Sequence, residues 1–275
     1  MKKLFILFAL SLISVISFGQ DYKTKLNGAK KVVFVLTNTD LWVEAHDGDE
    51  IIIEAKGYQK PPERADGLKP LYNSYQDNTG IGLSTEVEGG ILKFIRASSR
   101  KSIDYKVKLP RKVDLVIEEA NWNGGDFNVD GMQGEVEVKG KNADIFLTNV
   151  SGPIVAHSTS GNVQVVFTKI TPDKPSAITA TSGYVDVTLP QNVKANVSLR
   201  AISGEIYTDF DVTLEKNTKD DSKRWPSYNG DHKSDDCHSC GHNWNRGTIK
   251  GAINGGGVEL TLKAISGDIY LRKAK

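Results

Sequence analysis

The chain is expected to be all-β, a single β-solenoid domain of short repeated strands that turn at Ser-Gly corners. Three observations predict this. A short motif recurs through the second half of the chain, its apolar positions alternate with polar ones, and its corners keep one chemistry. The motif reads Gly124-Gly125-Asp126-Phe127, Gln133-Gly134-Glu135-Val136, Asn142-Ala143-Asp144-Ile145, Ser151-Gly152-Pro153-Ile154 and Ser160-Gly161-Asn162-Val163. The anchors Gly125, Gly134, Ala143, Gly152 and Gly161 fall nine residues apart. Self-similarity at a fixed period is the mark of a stacked repeat, in which each unit buries its apolar side only against a neighbour.

Further copies stand at Ser182-Gly183-Tyr184-Val185, Ser203-Gly204-Glu205-Ile206 and Ser266-Gly267-Asp268-Ile269, with a degenerate one at Gly256-Gly257-Val258. Two places after each anchor the residue is apolar: Phe127, Val136, Ile145, Ile154, Val163, Val185, Ile206, Val258 and Ile269. Its neighbours are mostly polar or aromatic, which is the period-two pattern of a strand with one buried face. Glycine lets the chain turn sharply, and the serine before it can bond nearby backbone groups. Burying one such Val or Ile is worth about 1.5–3 kcal/mol. The later anchors are spaced about twice as widely, which fits an extra strand between corners. Residues 177–180 and 197–201 supply candidates for it. An antiparallel β-sandwich is the alternative architecture, since short strands with frequent turn signals also build one.

The first half predicts strands from Val32 to Leu36, Leu41 to Ala45, Glu50 to Ala55, Ile91 to Ala97 and Tyr105 to Leu109. The segment Asn38-Thr39-Asp40-Leu41-Trp42-Val43 resembles a repeat that lacks its glycine. Loop insertions are expected at about 58–80, where Pro61, Pro62 and Pro70 stand among polar residues, and at 215–247. No linker divides the rest, so residues 20–275 are read as one domain.

Residues 1–19 are expected to be a secretory signal peptide. Lys2 and Lys3 precede an apolar run from Leu4 to about Ile16, too short to span a bilayer, with small residues before a cut after Gly19. The mature protein is then periplasmic, or extracellular at the cell surface, without a transmembrane segment. Export would remove two of 35 basic residues and none of the 34 acidic ones, leaving 33 against 34 and a net charge of −1. That balance gives no electrostatic case for nucleic acid.

The repeated corners, notably Ile202-Ser203-Gly204-Glu205-Ile206-Tyr207 and Ile265-Ser266-Gly267-Asp268-Ile269-Tyr270, resemble those of a bacterial adhesin-like family of unknown function. That family is related to the head domain of autotransporter adhesins. The lead-in Tyr105-Lys106-Val107-Lys108-Leu109-Pro110 followed by Val113-Asp114-Leu115 is similar too. The resemblance implies a solenoid-like fold at or outside the cell envelope and brings no catalytic residues.

The one cluster of ligating residue types lies in the second insertion. His232, Cys237, His238, Cys240 and His242 stand together there, with both cysteines of the chain. Cys-x-x-Cys with a nearby His can hold zinc or copper. A Cys237–Cys240 disulfide is the alternative; export favours it, and so short a loop gains about 2 kcal/mol at most. A redox-active pair would need a lowered thiol pKa, against which Asp235 and Asp236 act. Metal content and free-thiol count on protein purified without chelator separate these readings.

Repeated carboxylates such as Asp126, Glu135, Asp144, Glu205 and Asp268 are expected on a solvated outer face rather than in a catalytic pair. No nucleophile elbow, phosphate loop or HExxH pattern occurs. Trp225, Tyr228 and Trp244 in the insertion, with Tyr207 and Tyr270 on the repeats, are the candidate ligand-binding residues, because aromatic faces suit sugar rings or a protein partner. The expected function is thus a non-enzymatic, adhesin-like surface or envelope protein, binding envelope or matrix polysaccharide or a surface protein. A polysaccharide-active enzyme and a metal-binding module centred on residues 231–242 are the alternatives.

Overall fold

The computed structural model describes residues 20–275 apart from residues 66, 69, 72, 74, 172, 173 and 216–246. Its strands lie in two open sheets. The first runs in the order Gln20–Lys25, Glu50–Lys56, Asp104–Pro110, Leu41–His46, Phe127–Asp130, Ile145–Val150, Val163–Phe167, Val185–Leu189, Ile269–Lys273, Ile206–Thr208. The second runs Val212–Leu214, Ile249–Ile253, Ala195–Ala201, Val258–Ser266, Ser176–Ser182, Ile154–Ser160, Val136–Gly140, Asp114–Glu119, Lys31–Leu36, Ile91–Arg96, Leu83–Glu88.

The chain crosses from one sheet to the other at each corner, so the nine-residue unit is half a coil. Ile145 therefore pairs in parallel with Val163, two units on, and Val136 pairs with Ile154. Parallel pairing through the middle of both sheets makes this a β-solenoid and excludes the antiparallel sandwich. The inward residues of both sheets meet in one apolar cluster that includes Phe127, Val136, Ile145, Ile154, Val163, Val185 and Ile269. Ile206 and Val258 are only half-buried. Ile206 belongs to the last strand of its sheet and has no further coil to cover it.

The glycine of each corner exists because of the coil beneath it. A Cβ on Gly161 would lie 2.2 Å from the carbonyl oxygen of Ala143, and one on Gly204 would lie 2.0 Å from that of Gly267. Thr39 occupies the corresponding place one coil below Gly125, so the segment without a glycine is indeed a repeat.

Sequence order and spatial order part company at both ends. The coil formed by Lys31–Leu36 and Leu41–His46 sits between the later coils 91–110 and 114–130. The last coil, Val258–Ser266 and Ile269–Lys273, sits between 176–189 and 195–208. Among the described residues antiparallel strands close three of the four sheet edges: Gln20–Lys25 and Glu50–Lys56 on the first sheet, Leu83–Glu88 at one edge of the second and Ile249–Ile253 with Val212–Leu214 at the other, while Ile206–Thr208 ends the first sheet in parallel pairing. Reversed pairing of this kind stops an open solenoid edge from templating another chain. Glu215 donates to the Lys250 carbonyl at 2.9 Å, so the two sides of the second insertion are anchored together at one end of the second sheet.

Candidate functional site

Because strand residues alternate and the coils stack in register, every third residue after an anchor in the first sheet faces outward in one row. The pairing gives that row as Lys106, Trp42, Asn128, Phe146, Gln164, Asp186, Tyr270 and Tyr207, one residue per strand. Strands in a sheet stand about 4.8 Å apart, so the row crosses the sheet as a nearly straight track. Trp42 is 41% exposed and Tyr207 52%. Tyr207 stacks on Tyr270 with centroids 5.4 Å apart and an interplanar angle of 11°, and Tyr184 meets Tyr270 edge-on at 6.1 Å. The Arg272 guanidinium lies 5.1 Å from the Tyr270 ring centre and bonds Asp186 at 2.9 Å, which fixes the ring's setting. At the other end Trp42 opens on a cleft of about 860 Å³ that also contains Gln59, Glu54 and Lys106.

The structure thus brings Tyr207 and Tyr270 together in one column. His232, Cys237, His238, Cys240, His242, Trp225, Tyr228 and Trp244 lie outside the described residues. Among the described residues no group of three or more His, Cys, Asp or Glu side chains could hold a metal ion. Trp42, Asn128, Phe146 and Gln164 were not singled out from the sequence. Their signal was the third place after alternate anchors, which is blurred when both sheets' repeats are pooled in one alignment.

Three of the corner carboxylates, those of Asp126, Asp144 and Asp268, also bond the next coil, whereas that of Glu135 pairs with Lys174 on the surface. Asp40 Oδ1 accepts the Asp126 N–H at 2.9 Å, and Asp126 Oδ1 accepts the Asp144 N–H at 3.3 Å. Asp144 Oδ1 accepts the Asn162 N–H at 2.7 Å, and Asn162 Oδ1 accepts the Tyr184 N–H at 3.1 Å. Backbone carbonyls answer in the other direction: Phe127 N–H donates to Asp144 and Ile145 N–H to Asn162. Asp40, Asp126, Asp144 and Asp268 are therefore rung-to-rung clasps. The serine before the glycine joins the next coil through its backbone: Gly161 N–H donates to the Ser182 carbonyl at 3.1 Å and Gly183 N–H to that of Ser266 at 3.3 Å. Burial raises the Asp126 carboxyl above its ordinary value, with Asp144 and Asp40 adding repulsion against the opposing backbone bond. Asp268 is held below its ordinary value by the Glu205 N–H and then by the Tyr270 hydroxyl. A lowered carboxyl stabilises the fold above its unfolded-state pKa, and that contribution is lost as the pH falls through the folded value.

Replacing Asp144 tests the clasp. Asp144→Ala should cost about 1 kcal/mol in urea unfolding, because the Asn162 N–H loses its acceptor, whereas Asp144→Asn keeps an acceptor oxygen and should stay within about 0.5 kcal/mol of the parent. Equal losses in both variants would show that the charge, not the bond, matters there.

A family model described as Toastrack DUF4097 matches residues 36–239. The chain belongs to the Toastrack family. The matched span covers the parallel strands from Leu41 to Thr208, leaves out the interior coil of Val258–Ser266 and Ile269–Lys273, and ends within the second insertion. No curated protein matches the chain. Among solved structures, this Toastrack chain is similar to a candidate cell adhesion protein from Clostridium sporogenes ATCC 15579, with 11% identity, 93% of this chain and 100% of that one covered, and a TM-score of 0.45. A candidate adhesin from Bacteroides fragilis NCTC 9343 has 8% identity, 93% and 96% coverage and a TM-score of 0.41. A candidate lipid binding protein from Parabacteroides distasonis ATCC 8503 has 15% identity, 93% and 96% coverage and a TM-score of 0.26.

Proposed function

We propose that this protein is a non-enzymatic surface or envelope protein that binds an extended, neutral glycan along the outer face of its first sheet. The observation that carries this reading is the outward row from Trp42 to Tyr207. Aromatic faces at Trp42, Phe146 and Tyr207, the last seated on Tyr270, offer apolar surface to sugar rings, and the amides of Asn128 and Gln164 between them offer donors and acceptors to hydroxyls. A flat track at regular strand spacing suits an extended polymer, since aromatic and amide side chains alternate along it from Trp42 to Gln164. The adjacent row of clasp acids, Asp40, Asp126 and Asp144, disfavours a polyanion on this face. Because those acids are committed to backbone N–H groups, they support a structural role over the acid–base pair that a polysaccharide-active enzyme needs. The expected signal peptide puts such a surface where envelope and matrix polysaccharides are found.

The test is retention of the protein, without residues 1–19, on insoluble neutral and anionic polysaccharides, with polymer length followed in parallel. Saturable retention on a neutral polymer with unchanged polymer length is expected. The double variant Trp42→Ala, Tyr270→Ala should bind about tenfold more weakly, as two lost ring contacts of about 0.5–1.5 kcal/mol imply. Shortening of the polymer at trace protein, or retention that the double variant leaves unchanged, would overturn the reading.

A further inference from the structure

The outward face of the second sheet has a chemistry unlike that of the first. Ser176–Ser182, Val258–Ser266 and Ala195–Ala201 lie side by side there, and their pairing sets Thr179, Lys263 and Arg200 in one row. The row before it is Ala177, Thr261 and Ser198. The residues alternating with these, Ile178, Leu262 and Leu199, belong to the core, so both rows point outward.

Lys263 and Arg200 therefore stand directly opposite one another on strands about 4.8 Å apart. Like charges so placed repel and weaken the sheet. Elsewhere on the outward faces cations are matched with acids: Lys93 with Glu86, Lys106 with Glu44, Lys139 with Glu118 and Arg272 with Asp186. Neither Lys263 nor Arg200 has an acid partner among the described residues. Glu259, on the same face of the strand as Lys263, lies beyond Thr261 and opposite Asn196. Lys250 stands opposite Ser198, and Glu215 is its neighbour through the bond to its carbonyl. The hydroxyls of Thr179, Thr261 and Ser198 are also without a hydrogen-bond partner among the described residues. Arg200 and Thr261 are exposed, and Lys263, Thr179 and Ser198 are half-buried. Two uncompensated cations thus lie among three open hydroxyls. Neither row holds an aromatic or large apolar side chain, so this face lacks the apolar anchors that a membrane-binding surface uses.

We propose that this face is a second binding surface, for an acidic polysaccharide whose carboxylate or sulfate groups sit on Arg200 and Lys263. The planar guanidinium fork accepts two oxygens of either group, and the ammonium beside it adds a charge-assisted bond. An anion held between the two cations turns their repulsion into shared attraction. The Thr and Ser hydroxyls, which both donate and accept, suit the sugar hydroxyls around the acid group. The open sheet admits a long chain across it. The surface is independent of the aromatic row, which lies on the other sheet.

The test titrates the protein lacking residues 1–19 with alginate, dextran sulfate and phosphatidylglycerol vesicles at low salt. Saturable binding of an acidic polymer is expected, and it should persist in the Trp42→Ala, Tyr270→Ala variant. Arg200→Gln with Lys263→Gln should weaken it about tenfold and flatten its salt dependence. Lys25→Gln with Lys93→Gln removes the same charge from cations already paired with Asp49 and Glu86, and should leave binding within about twofold. Lys263→Glu should raise the urea midpoint, since it faces Arg200 with an opposite charge, and yet weaken binding more than Lys263→Gln does. No saturation by either acidic polymer, equal losses in the two double Gln variants, or vesicle binding as tight as that of the polymers would overturn the proposal.

Discussion

A chain ended after Gly257 is expected to lose the fold of its whole C-terminal third rather than fray at its tip. The last coil is an interior coil. Val258–Ser266 pairs with Ser176–Ser182 on one side and Ala195–Ala201 on the other, and Ile269–Lys273 lies between Val185–Leu189 and Ile206–Thr208. Its removal takes Leu260, Leu262, Ile269 and Leu271 out of the core, all at most 1% exposed. At about 1.5–3 kcal/mol each, these four side chains are worth roughly 6–12 kcal/mol, comparable with the whole stability of a typical domain. The strands from Ala195 to Ile253 would also lose the coil that joins them to the body. Hydrogen exchange and limited proteolysis should find amides 176–208 and 249–253 unprotected in the truncated chain, while those of residues 114–165 stay slow. Deletion of Gln20–Lys25 is the comparison. That strand pairs on one side only, with Glu50–Lys56, and its loss should leave protection elsewhere nearly unchanged. If both truncations merely fray, the interleaved order of the coils is wrong.

The parts of this fold that were legible in the sequence are those that repeat. A stacked coil imposes the same demand on every copy, so Phe127, Ile145, Val163, Val185 and Ile269 report one inward column, and the corner glycines report one close approach. The interleaving of the coils was not legible, because a strand's pattern states which face is buried and not which neighbour buries it. Ser266-Gly267-Asp268-Ile269 has the same form as Ser203-Gly204-Glu205-Ile206, so nothing local says that the later copy lies inside the earlier one. The candidate surface was half legible. Tyr207 and Tyr270 shared a visible column, but Trp42 belongs to a repeat whose corner is Thr39, where no glycine marks it. The acids of the corners were visible, but the bonds that Asp126, Asp144 and Asp268 make to the next coil were not. Repetition of a polar residue beside a close backbone approach is a sign of a bond to the next coil, which a solvated face would not require.

The corner glycines give the second large expectation. Gly161→Ala should cost about 3 kcal/mol or more. The new methyl carbon would stand 2.2 Å from the Ala143 carbonyl oxygen and 2.6 Å from its carbon, and both are backbone atoms that cannot rotate away. Relief requires the two coils to separate there by about 1 Å, since carbon and oxygen need more than 3 Å. That separation stretches the Ile145 N–H bond to the Asn162 carbonyl, now 2.9 Å, and the Asn162 N–H bond to Asp144, now 2.7 Å. Each is worth about 1 kcal/mol, and the strain of an overfilled core adds about 1–3 kcal/mol more. The matched control is Gly247→Ala, where a Cβ meets nothing within 4 Å among the described residues and the change should stay within about 0.5 kcal/mol. Urea midpoints of the two variants settle the comparison. A Gly161 variant as stable as the Gly247 variant would mean that the coils slide apart freely, and then the same looseness would deny the aromatic row its fixed spacing. A large loss at Gly161 alone ties the repeat in the sequence to the spacing of the coils, and that spacing to the track on which Trp42, Phe146 and Tyr270 are set.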